Sequence, residues 1–221
     1  MLRLALAGAC VLLLMACGVG DPGVGTESEA ALAHFQEAEA LVEKGQLGAS
    51  IAAFTRAIRA DPEFTDAYFR RGGVRLAIHR WPDAIEDYDK ALDLDAERVP
   101  AYFNRALAYS QVGRLQQAVS DYTEVVERDP GHAGAYSNRG SMYVSMGLPA
   151  LALDDFDRAI GLDAGLGKAY VGRAIAYSML EMPDEAQRAI DASVELGYAE
   201  YNVNRIIERA LAEYRLAGMV E

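Results

Sequence analysis

One spacing dominates this chain. Tyr68, Tyr102, Tyr136 and Tyr170 stand at a constant step of 34 residues. Tyr109, Tyr143 and Tyr177 repeat the step, as do Arg71, Arg105, Arg139 and Arg173, and again Ala84, Ala118, Ala152 and Ala186. A single period shared by independent registers means stacked copies of one supersecondary unit, each too small to bury a core alone.

The pattern inside a unit is helical. Residues 101–109 contain no helix breaker, Gly113 ends that segment, and a second run from Gln116 to Arg128 stops at Asp129-Pro130. Two helices of about thirteen residues joined by a glycine turn fill one period. The prolines agree. Pro22 lies near the N-terminus, Pro62 and Pro130 close units, Pro82, Pro149 and Pro183 sit in the turn before a second helix, and Pro100 sits in a helix's first turn. None falls in a helix interior, where each would cost ~3 kcal/mol.

The blocks YFNRALAYSQVGRLQQAVSDYTEVVERDP and YSNRGSMYVSMGLPALALDDFDRAIGLD resemble the tetratricopeptide repeat (TPR), in the variant with Asn-Arg-Gly on its first helix. The resemblance covers residues 31–200 as five units, 31–64, 65–98, 99–132, 133–166 and 167–200. It implies an all-α fold, a right-handed superhelix of helix hairpins. Small residues at 38, 72, 106, 140 and 174 meet small residues at 50, 84, 118, 152 and 186 where the two helices touch. Phe54, Tyr88, Tyr122, Phe156 and Ile190 fill the gap to the next unit. Residues 201–217 form one more amphipathic helix, with Val203, Ile206, Ile207, Ala210, Leu211 and Tyr214 on its apolar face, read as a cap on the last unit.

TPR families bind peptides on the concave face of their first helices. The resemblance places Phe35, Phe69, Leu76, Phe103 and Leu107 there, followed by Ser137, Ser141, Val144, Val171 and Ile175. Phe35, Phe69 and Phe103 form an apolar stripe, suited to an amphipathic helix or a hydrophobic extended segment. Asn104 and Asn138 are offset by one position from the residues that carboxylate-clamp TPRs use. The stripe needs a cover, whether a partner protein, the chain's own N-terminal segment or a second copy in a homodimer. Asp87, Asp121 and Asp155 also step by 34, on the second helices of units whose first helices carry Arg71, Arg105 and Arg139. With Arg173 they read as a structural ladder of Arg–Asp pairs; the other reading has the arginines grip acidic groups on a ligand.

Little else points to chemistry. His34, His79 and His132 read as surface or turn histidines, and no catalytic motif, metal-ligand set or cofactor motif occurs. Asp87, Asp89, Asp93 and Asp95 lie on a continuing helix, without the glycine bend of a calcium loop, and read as a solvated acidic face. The net charge is −12, which disfavours nucleic-acid partners.

The N-terminus reads as an address. After Arg3, residues 4–16 carry no charge, a run too short to span a bilayer and suited to the apolar core of an export signal. It ends in Leu14-Met15-Ala16-Cys17, which resembles a bacterial lipobox. The resemblance implies a signal peptide over residues 1–16 and acylation of Cys17, with residues 17–28 as a flexible tether. An ordinary signal peptide cleaved near Ala16 is the other reading. Thr26 and Glu29 are expected to form a capping box that opens the first helix. Signal and repeats together resemble TPR lipoproteins of cell-envelope assembly, which implies a scaffold for cell-envelope assembly factors. Lipid would hold it at the outer membrane facing the periplasm in a diderm, or at the extracellular face of the cell membrane otherwise.

Overall fold

The computed structural model describes residues 24–216, and within them the secondary structure is entirely α-helical. The order is α1 Val24–Glu43, α2 Leu47–Ala60, α3 Thr65–Ala77, α4 Trp81–Leu94, α5 Val99–Gln111, α6 Leu115–Arg128, α7 Ala133–Ser145, α8 Pro149–Leu162, α9 Gly167–Met179, α10 Pro183–Glu195 and α11 Glu200–Leu216. Among the described residues no helix is long and apolar enough to cross a membrane. The chain divides into two compact units, Met1–Val74 and Arg75–Glu221.

Helix α1 begins at Val24, inside the stretch expected to be a tether and two residues before Thr26. Thr26 therefore is not the capping residue, because a cap has non-helical backbone and here the helix has already started. Extending a nucleated helix by a turn costs little. Cys17 and the export signal lie outside the described residues.

Five intra-repeat turns share one geometry. Gly45, Gly113 and Gly147 take left-handed backbone with φ of 70°, 74° and 73°, as the glycine turn requires. The same register in the second and fifth repeats holds His79 (φ 62°) and Glu181 (φ 57°), so the turn is not glycine there. The hydrogen bonds explain why the conformation persists. The residue after each left-handed position donates its N–H to the carbonyl five residues back, Gln46 to Leu41 at 2.9 Å, Arg80 to Arg75 at 2.8 Å and Met182 to Tyr177 at 3.0 Å. This is a Schellman closure, which satisfies carbonyls the helix leaves open. Pro82, Pro149 and Pro183 lie within the first two residues of α4, α8 and α10 rather than before them. Their missing N–H is one the helix could not have used.

Second helices stop at an aspartate. Asp61, Asp95, Asp129 and Asp163, also 34 apart, each accept the N–H two residues on, at 2.9 to 3.2 Å. These Asx turns reverse the chain into the next repeat.

In the first unit Ala38, Ala53, Phe54 and Val74 form the core, with Phe35, Leu41, Val42, Leu47 and Ile51 against it. In the second, the packing follows the repeat. Ala106 and Ala118 are fully buried around Tyr122, and Ala152 around Phe156. A Cβ on Gly140 would stand 3.0 Å from Phe156 Cε1 and 3.2 Å from the Ala152 carbonyl, which is why this contact holds no larger residue.

Helix α11 packs chiefly on α9. Val203 and Ile207 are buried there, with Ala210, Leu211 and Tyr214 against the same core. Ile206, expected on that face, is 47% exposed. At 100° per residue it falls on the far edge of the apolar arc from Leu211, and one flat contact cannot bury both edges.

Candidate functional site

The phenylalanine stripe is backed by the chain itself. Phe35 lies edge-on to Phe54, with ring centroids 5.5 Å apart, and 4.9 Å from Phe64. Phe103 lies edge-on to Tyr122 at 5.7 Å and stacks on His132 at 4.8 Å. Phe64 and His132 occupy the same register, the last residue of a repeat, so the junction between repeats covers one side of Phe35 and of Phe103. Phe69, Leu76 and Leu107 are likewise half-buried.

Several residues expected on the binding face are not available there. Ser137 is buried, and its carbonyl accepts the Ser141 hydroxyl at 2.9 Å. Val171 and Ile175 are buried in the core that α11 completes, with half-buried Val144 packed against it. Position in a repeat tells which face of a helix a side chain takes; it does not tell that a later helix will lie across it. Asn104 and Asn138 serve structure too. The Asn138 amide meets the buried hydroxyl of Tyr122, and Asn104 holds the same register beside Tyr88; burial makes both phenols weaker acids, their pKa pushed well above the ordinary phenol range. A buried hydroxyl needs such a partner.

Between these closed regions the third repeat remains open. A cavity of about 350 Å³ is lined by Val99, Pro100, Phe103, Asn104, Asp129 and His132. The Nδ1 atom of His132 accepts the Ala135 N–H at 3.1 Å and so caps α7. In the sequence His132 reads only as a surface or turn histidine. Its register, shared with Phe64 and Leu166 at the end of each repeat, was the available signal.

The arginines are tied into the fold. Arg105 donates from Nε and Nη2 to Asp121, both at 2.8 Å, and from Nη1 to Asp89 at 2.7 Å. Arg139 repeats this with Asp155 at 2.9 and 2.7 Å and with Thr123 at 3.0 Å. Arg71 reaches Thr55 at 2.9 Å, and Arg173 reaches Asp157 at 3.0 Å. Each arginine thus bonds the second helix of the preceding repeat, and Arg105 and Arg139 bond their own as well. Tyrosines flank the guanidinium groups, with Tyr102 and Tyr109 at 5.5 and 5.8 Å from Arg105. At the ladder's end Ala189 stands in the register of Asp121 and Asp155, and Arg173 Nε is buried without a partner.

Burial opposes the charge on Arg105, yet the bonds it donates to Asp121 and Asp89 hold its pKa above the ordinary range. Burial pushes the Asp121 and Asp155 carboxyls up, offset in part by their arginines. Such pairs fix register more than they stabilise, because desolvation consumes most of the attraction. The acidic run is solvated at Asp93 and in part at Asp89 and Asp95, but not at Asp87. Asp87 is 2% exposed and pairs with Arg75 at 2.7 Å, Asp89 serves Arg105, and Asp95 ends α4; Asp93 pairs with Lys90 at the surface.

Repeated helix hairpins with a half-open apolar face define a protein-interaction scaffold. Tetratricopeptide repeat models match residues 29–99, 99–132 and 133–165 in succession, and the chain belongs to this family. Solved structures agree in fold. A MamA protein is 24% identical, covering 76% of this chain and 92% of its own, with a TM-score of 0.73. YrrB, described as a TPR protein with an unusual peptide-binding site, is 18% identical, covering 80% and 92%, with a TM-score of 0.73. PilF of Pseudomonas aeruginosa is 18% identical, covering 87% and 89%, with a TM-score of 0.68. Identities this low speak for the fold alone. A search of curated proteins gave no match.

Proposed function

We propose that this chain is an exported TPR lipoprotein, held at the membrane through Cys17, that binds an apolar or amphipathic segment of other envelope proteins on its first-helix face. The observation that carries the binding half is the contrast along that face. Val171 and Ile175 are closed under α11, whereas Phe103 stays half-buried beside an open cavity. The anchoring half rests on Leu14-Met15-Ala16-Cys17 after an uncharged run. Two acyl chains there would hold a protein durably where one binds reversibly.

A photoreactive residue in place of Phe103, crosslinked in living cells and analysed by mass spectrometry, tests the binding. A distinct envelope protein is the expected product. Recovery of the chain crosslinked only to itself would favour self-association, the reading suited to the exposed Tyr201, Ile206 and Leu216 on α11. Cys17→Ser should move the protein from the membrane fraction to the soluble one.

A further inference from the structure

We propose that the third-repeat cavity is a specificity pocket that takes one bulky apolar side chain of a partner peptide, next to a lysine or arginine that pairs with Asp129. This deepens, and rests on, the peptide-binding reading above. Three observations carry it.

The first is that the lining of the pocket departs from the second and fourth repeats. Val99, Pro100, Phe103 and His132 correspond by the 34-residue step to Thr65, Asp66, Phe69 and Arg98 in the second repeat, and to Ala133, Gly134, Ser137 and Leu166 in the fourth. The first repeat also joins two rings in this register, Phe35 and Phe64, but its Ala31 and Leu32 lie inside α1; apolar residues at a helix start beside two stacked rings are what the third repeat adds.

The second is a fixed polar edge. Because Nδ1 of His132 accepts the Ala135 N–H, the ring's hydrogen sits on Nε2 and is a donor for a ligand carbonyl. Asp129 Oδ1 accepts the Gly131 N–H at 3.1 Å, and its other oxygen remains an acceptor. An apolar floor with one donor and one anionic acceptor matches a peptide that offers a side chain, a carbonyl and a cation.

The third is charge. Asp129 is the one charged residue lining the cavity, and the whole chain carries −12, so a cationic peptide is steered in and an acidic one repelled.

The probe is a phage library of random dodecapeptides panned on the full chain, with enriched peptides then titrated by fluorescence anisotropy. Enriched sequences should pair a Leu, Ile, Met or Phe with an adjacent Lys or Arg. Val99→Trp, which fills the cavity, should weaken them about tenfold, the loss expected for one buried anchor. Asp129→Asn keeps the Asx-turn oxygen and His132→Asn keeps a capping oxygen. Both should weaken binding by about threefold or more with the melting temperature unchanged, so the inference stays testable if Val99→Trp folds poorly. Peptides that bind all three variants as tightly as the parent, or an enriched acidic motif, would overturn the pocket and leave the scaffold reading standing. A library that yields no binders at all would overturn both.

Discussion

The ring of Phe156 fills the place a side chain at Gly172 would need. A Cβ there would stand 2.3 Å from the ring's Cζ. One repeat earlier the same two registers hold Tyr122 and Asn138, and two repeats earlier Tyr88 and Asn104. Where the aromatic carries a hydroxyl, the next repeat supplies an amide; against Phe156 it supplies nothing larger than hydrogen, and after Phe54 the register holds Arg70, whose guanidinium turns to Glu39.

Gly172→Ala should therefore cost about 1–3 kcal/mol, the usual range for overpacking a filled core. Urea unfolding followed by circular dichroism measures it. Adding Phe156→Leu, which vacates the contact, should lessen the loss attributable to the methyl group; equal losses in both backgrounds would refute the steric account.

Arg105→Ala should destabilise by roughly 3–5 kcal/mol, since it strands the nearly buried Asp121 carboxylate. Arg173→Ala should cost much less, because its partner Asp157 is 54% exposed and its own second helix holds Ala189 in the register of Asp121 and Asp155. Equal shifts in melting temperature for the two variants would show that the ladder is not a ranked set of structural contacts.

Glu181→Gly and His79→Gly should each raise stability by about 0.5–1 kcal/mol, by relieving a left-handed backbone that side chains disfavour. Gly113→Ala should lower it by a similar amount. Differential scanning calorimetry reads all three, and a fall in melting temperature for Glu181→Gly would contradict the strain.

Stability should decline above pH 10. Tyr88 and Tyr122 ionise near 10.0 when unfolded, while burial raises both in the folded state. Their contribution is complete below pH 10 and is lost as the pH climbs toward the folded values, because the unfolded chain releases the protons first. The slope approaches about 1.4 kcal/mol per pH unit per tyrosine. A urea midpoint that stays flat from pH 9 to 11 would show that these hydroxyls are not protected.

Much of this architecture was legible in the 34-residue step. It gave the hairpins, the small–small contacts at Ala106 and Ala118, and an Arg–Asp relation that recurs between Arg105 and Asp121. The turn was legible only in part. Gly45, Gly113 and Gly147 announce a left-handed residue, but at 79 and 181 the Schellman hydrogen bonds impose the same conformation on His and Glu.

The sequence by itself determined which residues share a helix face, because helical geometry and a fixed repeat leave no freedom there. Only the tertiary structure decided which of those faces stay open. Val171 and Ile175 carry the same register as Phe103 and Leu107, yet they are buried because α11 lies across them. Coverage by a distant segment is set by how apolar surfaces compete for burial, which no local spacing records. For the same reason His132 emerged as cap and pocket wall only once the end of α6, the start of α7 and the ring of Phe103 stood together.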